Sequence, residues 1–357
     1  MPVNGVRKKE DIMYTQTEKR QFIIFLLMAY GLTYVLGLLM WYGNASGVDV
    51  SAFPNAQMMY PAAGVALAYL ITGKKEQKLP KAFYVVFIIL TVIMAVMAVI
   101  SVFVELPSLG TAEASVSAWT LLIQMVLIVG SIICWIALIA SGRERRENGG
   151  LRWKKTGASI FCVVLFFVIY MLRNVISYAL GGQLSDIMQT FAQPYTWINL
   201  AALIPNFFLV FVAFFGEEYG WRYYMQPYLQ RKFGLRGGVI FLGVVWGLWH
   251  LPVDFFYYTT PDMGLIMAVS QQVTCIFLGI FLAYAYMKTN NIWVPVIIHF
   301  LNNNLIPVVS ANYSADVLEN QQVTWAGVFF SLILNALCFG WFLLSKQFKQ
   351  RNEEEQM

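Results

Sequence analysis

Charge is what this sequence has least of. Only 12% of its 357 residues are Asp, Glu, Lys or Arg, about half the ~25% of an average soluble domain. The length would allow two or three soluble domains, but no polar stretch is long enough to build one. With 59% apolar and 16% aromatic residues, a water-soluble fold could not hide its hydrocarbon, so the excess faces lipid. Cysteine is sparse as well. Cys134, Cys162, Cys275 and Cys338 sit far apart inside apolar runs, which excludes a disulfide framework or zinc knuckle and reads as small buried hydrophobes. A Gly-rich phosphate loop, a His-Glu-x-x-His run and a Gly-x-Ser-x-Gly elbow are all missing, so the standard nucleotide, zincin and serine-hydrolase signatures are excluded. There is no internal repeat, and low complexity is confined to Glu353–Glu355. Met1 to Arg20 is polar, and the first apolar run is too long for a signal-peptide core.

What is present is a series of long apolar runs. Ten are long enough, or nearly so, to cross a ~30 Å hydrocarbon core as helices. They lie near 21–42, 57–72, 83–104, 118–140, 158–180, 203–229, 237–256, 263–287, 292–310 and 324–345. The expected fold is therefore an all-α polytopic membrane protein of about ten transmembrane helices. The segment 186–199 is amphipathic and follows Gly181-Gly182, which predicts an interfacial helix on the outer surface.

The loops test that count independently. The tails and even-numbered loops carry Arg7, Lys8, Lys9, Lys19 and Arg20, then Lys74, Lys75, Lys78 and Lys81, then Arg143 through Lys155. They continue with Arg231, Lys232 and Arg236, then Lys288, and finally Lys346, Lys349 and Arg351. The odd-numbered loops (43–56, 105–117, 181–202, 257–262 and 311–323) contain acidic residues and neither lysine nor arginine. This alternation places both termini in the cytoplasm of a multi-pass cell-membrane protein. The net charge of +5 is thus positional, and it calls for lipid rather than nucleic acid as a partner.

Ionisable groups inside a span are costly and mark function by default. Here they are Arg173, Glu217, Glu218, Arg222, His250, Asp254 and His299. Both histidines of the chain are among them. At ~1.5 Å rise per residue, Glu217, His250 and His299 fall within several ångströms of one depth. Glu218 and Arg222 are spaced i,i+4 and can pair, leaving Glu217, turned by about 100°, free for chemistry. His299 and Asn303 share a face, with Asn302 adjacent, and Trp246 and His250 repeat the spacing ahead of the helix-bending Pro252. A carboxylate with a histidine can activate water, and a His–Asn pair can donate to an oxyanion. The plainer readings are interhelical hydrogen bonding for the histidines and a structural Glu218–Arg222 pair. Arg173 is expected to meet a buried acid or to snorkel outward, and Asp254 is expected at the interface.

The constellation resembles the CAAX prenyl protease type II and bacteriocin-processing family (CPBP, or Abi) of intramembrane proteases. The motifs read Glu217-Glu218-Tyr219-Gly220-Trp221-Arg222, Trp246-Gly247-Leu248-Trp249-His250 and His299-Phe300-Leu301-Asn302-Asn303. The family pattern has phenylalanine where this chain has Trp246, and an aromatic packing role is retained. The resemblance implies a conical helical core with Glu217 as water-activating base assisted by His250. His299 and Asn303 then stabilise the oxyanion, and Glu218 and Arg222 support the site. The resemblance covers the catalytic helices (203–310), while composition and topology mark off a tail (1–20), helices one to five (21–182) and a last helix with its tail (324–357). The implied substrate is a peptide or lipidated peptide cleaved near the cytoplasmic side, without a cofactor. The competing mechanism makes Glu217, His250 and His299 zinc ligands. The competing functions are a non-catalytic membrane scaffold of the same family and a proton-coupled transporter.

Overall fold

A computed structural model describes residues 14–73, 76–111, 114–314 and 317–349. The positive charges at Arg7, Lys8, Lys9, Lys74, Lys75 and Arg351 and the Glu353–Glu355 tail lie outside the described residues. The first apolar run is α1 (Gln16–Leu26), which passes through a π-helical turn at Leu27–Gly31 into α2 (Leu32–Ala45). Thr15 starts it with a reciprocal capping box to Glu18, satisfying two orphan backbone donors. Next come α3 (Ala52–Gln57), α4 (Tyr60–Thr72) and α5 (Lys81–Ser101). A small antiparallel hairpin, β1 (Ser108–Thr111) with β2 (Ala114–Ser117), closes the following loop. Then follow α6 (Ala118–Ala140), α7 (Gly142–Asn148), α8 (Thr156–Leu180) and α9 (Leu184–Ala192).

The functional half begins with α10 (Pro194–Glu218), a π-helical turn at Tyr219–Met225, α11 (Gln226–Trp249) and α12 (Leu251–Phe256). It closes with α13 (Gly264–Thr289), α14 (Trp293–Ser310) and α15 (Trp325–Phe339). The outward faces are apolar: Ile139 and Ile204 are 66% and 70% exposed, as lipid-facing positions should be.

Among the described residues, eight helices are long and apolar enough to cross a membrane, where the apolar runs predict ten. Two local features account for the difference. α4 has 13 residues, about 20 Å of helix, too short to span alone. Residues Pro194–Trp249 run as one 56-residue helical stretch because the break between the two predicted spans is a single residue, Gly234, at φ 75° and ψ 168°. Only glycine adopts that conformation without a Cβ clash. A second correction concerns the predicted interfacial helix at 186–199. The helix there stops at Ala192, and α10 begins at Pro194, nine residues before its expected start at Leu203. Proline at the first helical position lacks an N–H that would be unsatisfied there and fixes φ for the helix, so it initiates α10 early.

The loop alternation is matched by contacts. Lys78 pairs with Glu144 at 3.1 Å, Asn148 reaches the Lys78 carbonyl, and Lys155 reaches the Lys288 carbonyl. Arg231 pairs with Glu18, and Arg236 donates to the Leu343 carbonyl. Lys154 and then Arg152 hold the exposed Glu147 carboxyl down at about 2. At the other end of the bundle, Asp49 meets Ser117, Asn44 reaches the Phe256 carbonyl, and residues 320–321 bond Tyr257 and Tyr258. Basic loops thus meet basic loops, and the loops lacking lysine and arginine meet one another.

Two glycines set the depth of packing around α10. A Cβ at Gly216 would strike the backbone of Met58 and Met59, and one at Gly220 would strike Pro61. The α10 helix and the turn after it therefore lie directly on the α3–α4 elbow, the close approach that small residues allow between membrane helices.

Candidate active site

Glu217 and Glu218 are the last residues of α10, at the entry to the π-helical turn, a local widening common at functional sites. Both are buried, at 2% and 0% exposure. Adjacent on a helix, they point to different neighbours. Glu218 Oε2 accepts from Arg222 Nε at 2.8 Å, and its Oε1 faces His299 Nδ1 at 2.9 Å. The sequence-predicted i,i+4 pair is present, and Glu218 also ties α10 to α14. Because an ionised carboxylate only accepts, His299 Nδ1 carries a proton and Nε2 is the ring atom left for other contacts.

Glu217 makes a different bond: its Oε2 accepts from the Trp246 indole Nε1 at 2.7 Å. The same indole lies 4.7 Å beneath the Arg222 guanidinium, with ring centroids 5.8 Å from His250 and 5.6 Å from His299. Trp246 was read from the sequence as an aromatic packing residue equivalent to phenylalanine. The structure gives it a hydrogen-bonding role that phenylalanine cannot fill. The available signal was the indole N–H itself, which seeks a partner whenever it is buried.

His250 follows the end of α11, and its Nδ1 lies 2.9 Å from the Trp246 carbonyl. A carbonyl only accepts, so Nδ1 is the donor and Nε2 retains its lone pair. The Cys275 sulfur sits 3.7 Å from the same Nδ1, the contact of an otherwise plain buried cysteine. No hydrogen bond joins Glu217 to His250 or to His299 among the described residues. The three instead line one cavity of about 360 Å³, together with Asn302 and Asn303. Asn302 Nδ2 donates to Asn303 Oδ1 at 3.0 Å, which leaves the Asn303 amide N–H groups as donors. The sequence named Asn302 only as a neighbour of Asn303, and its bond to Asn303 was not foreseen.

Two intramembrane charges differ from expectation. Asp254 is fully buried, and neither carboxyl oxygen has a hydrogen-bond partner among the described residues. The cause is the chain break at His250 and Pro252, which turns α12 inward between α2 and α13 instead of continuing α11 to the surface. Gly37 of α2 leaves the space that the Pro252 ring fills. Arg173 neither meets an acid nor snorkels free: its Nη1 donates to Asn335 Oδ1 of α15 at 3.0 Å, with the Tyr170 ring 5.0 Å away.

As to metals, no group of three His, Cys, Asp or Glu side chains suited to holding an ion occurs among the described residues. The two Nδ1 atoms are engaged, by Glu218 and by a backbone carbonyl.

With this geometry in place, comparison with known proteins is specific. Residues 197–305 match the family model described as type II CAAX prenyl endopeptidase, Rce1-like. Over this segment the chain is similar to that family. A stretch of 161 residues is 26% identical to the CAAX prenyl protease 2 of Methanococcus maripaludis, covering 44% of this chain and 58% of that protein. No solved structure matches it. The matched segment contains Glu217, Glu218, Arg222, Trp246, His250, His299 and Asn303. Arg173 and Asn335, which line the same cavity, lie outside it.

Proposed function

We propose that the chain is an intramembrane endopeptidase of the CAAX protease type, hydrolysing a peptide bond of a lipidated or membrane-associated peptide with Glu217-activated water. The observation that carries this reading is the single cavity lined by Glu217, His250, His299 and Asn303, reached from α10, α11 and α14. Water enters the cavity between Glu217 and His250. The His250 Nε2 lone pair accepts a hydrogen bond from one water O–H, which orients the oxygen and leaves that proton on it, while the free Glu217 oxygen removes the other proton as the oxygen attacks the scissile carbonyl. The resulting oxyanion receives hydrogen bonds from His299 Nε2 and the Asn303 amide. Glu217 then passes its proton to the departing amine as the carbon–nitrogen bond breaks.

For His299 to donate from Nε2 while Nδ1 bonds Glu218, the ring carries both protons and a positive charge. The buried cluster then balances, with Glu217 and Glu218 against Arg222 and His299. Such balance is what burial in a low-dielectric interior demands. Both termini are assigned to the cytoplasm on the strength of the loop charges.

The mechanism is assigned without a metal. Support comes from the donor set: among the described residues no three His, Cys, Asp or Glu side chains are grouped so as to hold an ion. The test is cleavage of an internally quenched farnesylated CAAX peptide by purified protein in nanodiscs with a strong chelator present. Unchanged turnover and two product masses are expected. Inhibition that added zinc reverses would replace the glutamate mechanism with the zinc one.

Trp246 acts here as a positioning residue for Glu217. Trp246→Phe keeps an aromatic ring under Arg222 but deletes the N–H. A buried hydrogen bond to a charged group contributes ~1.5–3 kcal/mol to stability, so the thermal midpoint should fall, and loss of the bond that orients Glu217 should lower kcat roughly 10–100-fold with KM nearly unchanged. A fall in stability with kcat preserved would reduce Trp246 to a packing residue.

A further inference from the structure

A second cavity, of about 630 Å³, lies between α6, α8, α10 and α14. Among the described residues it shares no lining residue with the cavity of Glu217, and α14 is the partition. His299, Asn302 and Asn303 line the first cavity, whereas Trp293, Ile297 and Phe300 line the second from the opposite face of that helix. The walls of the second cavity are almost wholly aliphatic and aromatic, and Ile204 and Phe208 on its rim are exposed, so it opens sideways toward lipid. Along α14 it runs from Trp293 to Leu301, about 12 Å at 1.5 Å per residue, which makes it a slot for a hydrocarbon chain. The end nearest the basic loops is different. Arg146 of α7 is the one charged residue among the described residues that line the slot. Its Nε donates to the Gly142 carbonyl at 3.3 Å, and it has no acidic partner among the described residues. The acids of the same stretch are already engaged, Glu144 by Lys78 and Glu147 by Arg152 and Lys154. Arg143 and Arg145 add two further cations on α7. Trp153, also on the slot, is exposed, and its indole N–H donates to the Thr156 hydroxyl at 3.0 Å. An exposed tryptophan at the end of a span sits at headgroup depth.

We propose that this slot binds an anionic glycerophospholipid of the leaflet beside the basic loops, with one acyl chain between the helices and the phosphate on the Arg146 guanidinium. Charge decides the occupant. An apolar slot alone would accept any hydrocarbon, but a guanidinium without a countercharge at its mouth selects a chain that carries a phosphate. The three arginines of α7 then favour a net-negative headgroup over a zwitterionic one. A prenyl chain brings no anion to Arg146, and α14 stands between the slot and Glu217. The site is independent of the hydrolase reading, because none of its residues takes part in the proposed chemistry.

The test uses the full-length protein in phosphatidylcholine nanodiscs that hold a trace of phosphatidylglycerol with a diazirine midway along one acyl chain. Illumination and peptide mapping should place the cross-links on the segments of α8, α10 and α14 that hold Phe167, Ile204 and Ile297. Unlabelled phosphatidylglycerol at low mole fraction should displace the probe from the unsubstituted protein, and the same fraction of phosphatidylethanolamine should not. Arg146→Gln should weaken capture at least about fivefold, the effect of one interfacial cation. Arg146→Lys should restore part of it, which separates loss of charge from loss of fold. Ile204→Trp fills the slot from its lipid-facing rim and should abolish capture there with Arg146 intact and the thermal midpoint unchanged. Cross-links spread evenly over the lipid-facing helices, equal displacement by the two competitors, or capture that survives Arg146→Gln would each overturn the proposal. Displacement by a farnesylated peptide and not by phosphatidylglycerol would assign the slot to a prenyl chain and overturn it as well.

Discussion

Glu217→Gln should yield a folded protein with kcat lowered by about 10²–10⁴, the range for loss of a positioned general base. The substitution is close to isosteric. The amide oxygen of glutamine still accepts the Trp246 N–H bond that the carboxylate accepts at 2.7 Å, so α10 and α11 remain tied together. What disappears is basicity: a neutral amide cannot take the proton of a water held in a site of low dielectric. The readout is turnover of the farnesylated peptide beside the thermal midpoint of the same preparation. Full cleavage by a stable Glu217→Gln protein would refute the assignment and reopen the scaffold and transporter readings.

At the neighbouring position the expected outcome is different. Glu218→Gln should lower stability by ~3–5 kcal/mol, the cost of leaving a buried charge uncompensated, and activity should fall with it. Glu218 is fully buried between Arg222 at 2.8 Å and His299 at 2.9 Å. Both are donors, and glutamine has one acceptor oxygen for the two of them, while its own NH₂ would face a second donor. Arg222 has nowhere else to turn, because its Nη1 and Nη2 already lack hydrogen-bond partners among the described residues. The measurement is a denaturation series in mixed micelles with membrane abundance alongside. A Glu218→Gln protein as stable as wild type would show that the pair does not hold the fold.

The contrast between these two adjacent glutamates shows what a sequence can carry. Helical spacing put Glu218 and Arg222 on one face and left Glu217 on another, and the structure keeps that division. Lysine and arginine alternation sorted the loops, because the cost of moving a cation across lipid acts on each loop locally, whatever its neighbours are. The three motif segments, with both histidines of the chain, were legible for the same reason: an ionisable residue inside an apolar run is conspicuous without knowledge of the fold.

Other features depended on atoms far apart in the chain. Trp246 reads as an aromatic residue until α11 is placed beside α10, 29 residues away, where its N–H finds Glu217. Asn335 became the partner of Arg173 only when α15 packed beside α8, 162 residues along. Asp254 was expected at the surface because helix length was counted as though α11 ran straight, and the break at His250 and Pro252 turned it inward. The sequence by itself determined the membrane class, the sorting of the loops and the identity of the motif residues, since these follow from the local free energy of placing each residue in lipid or water. The tertiary structure alone decided which donor meets which acceptor, because a hydrogen bond requires two groups within about 3 Å, and chain spacing does not determine that distance between separate helices.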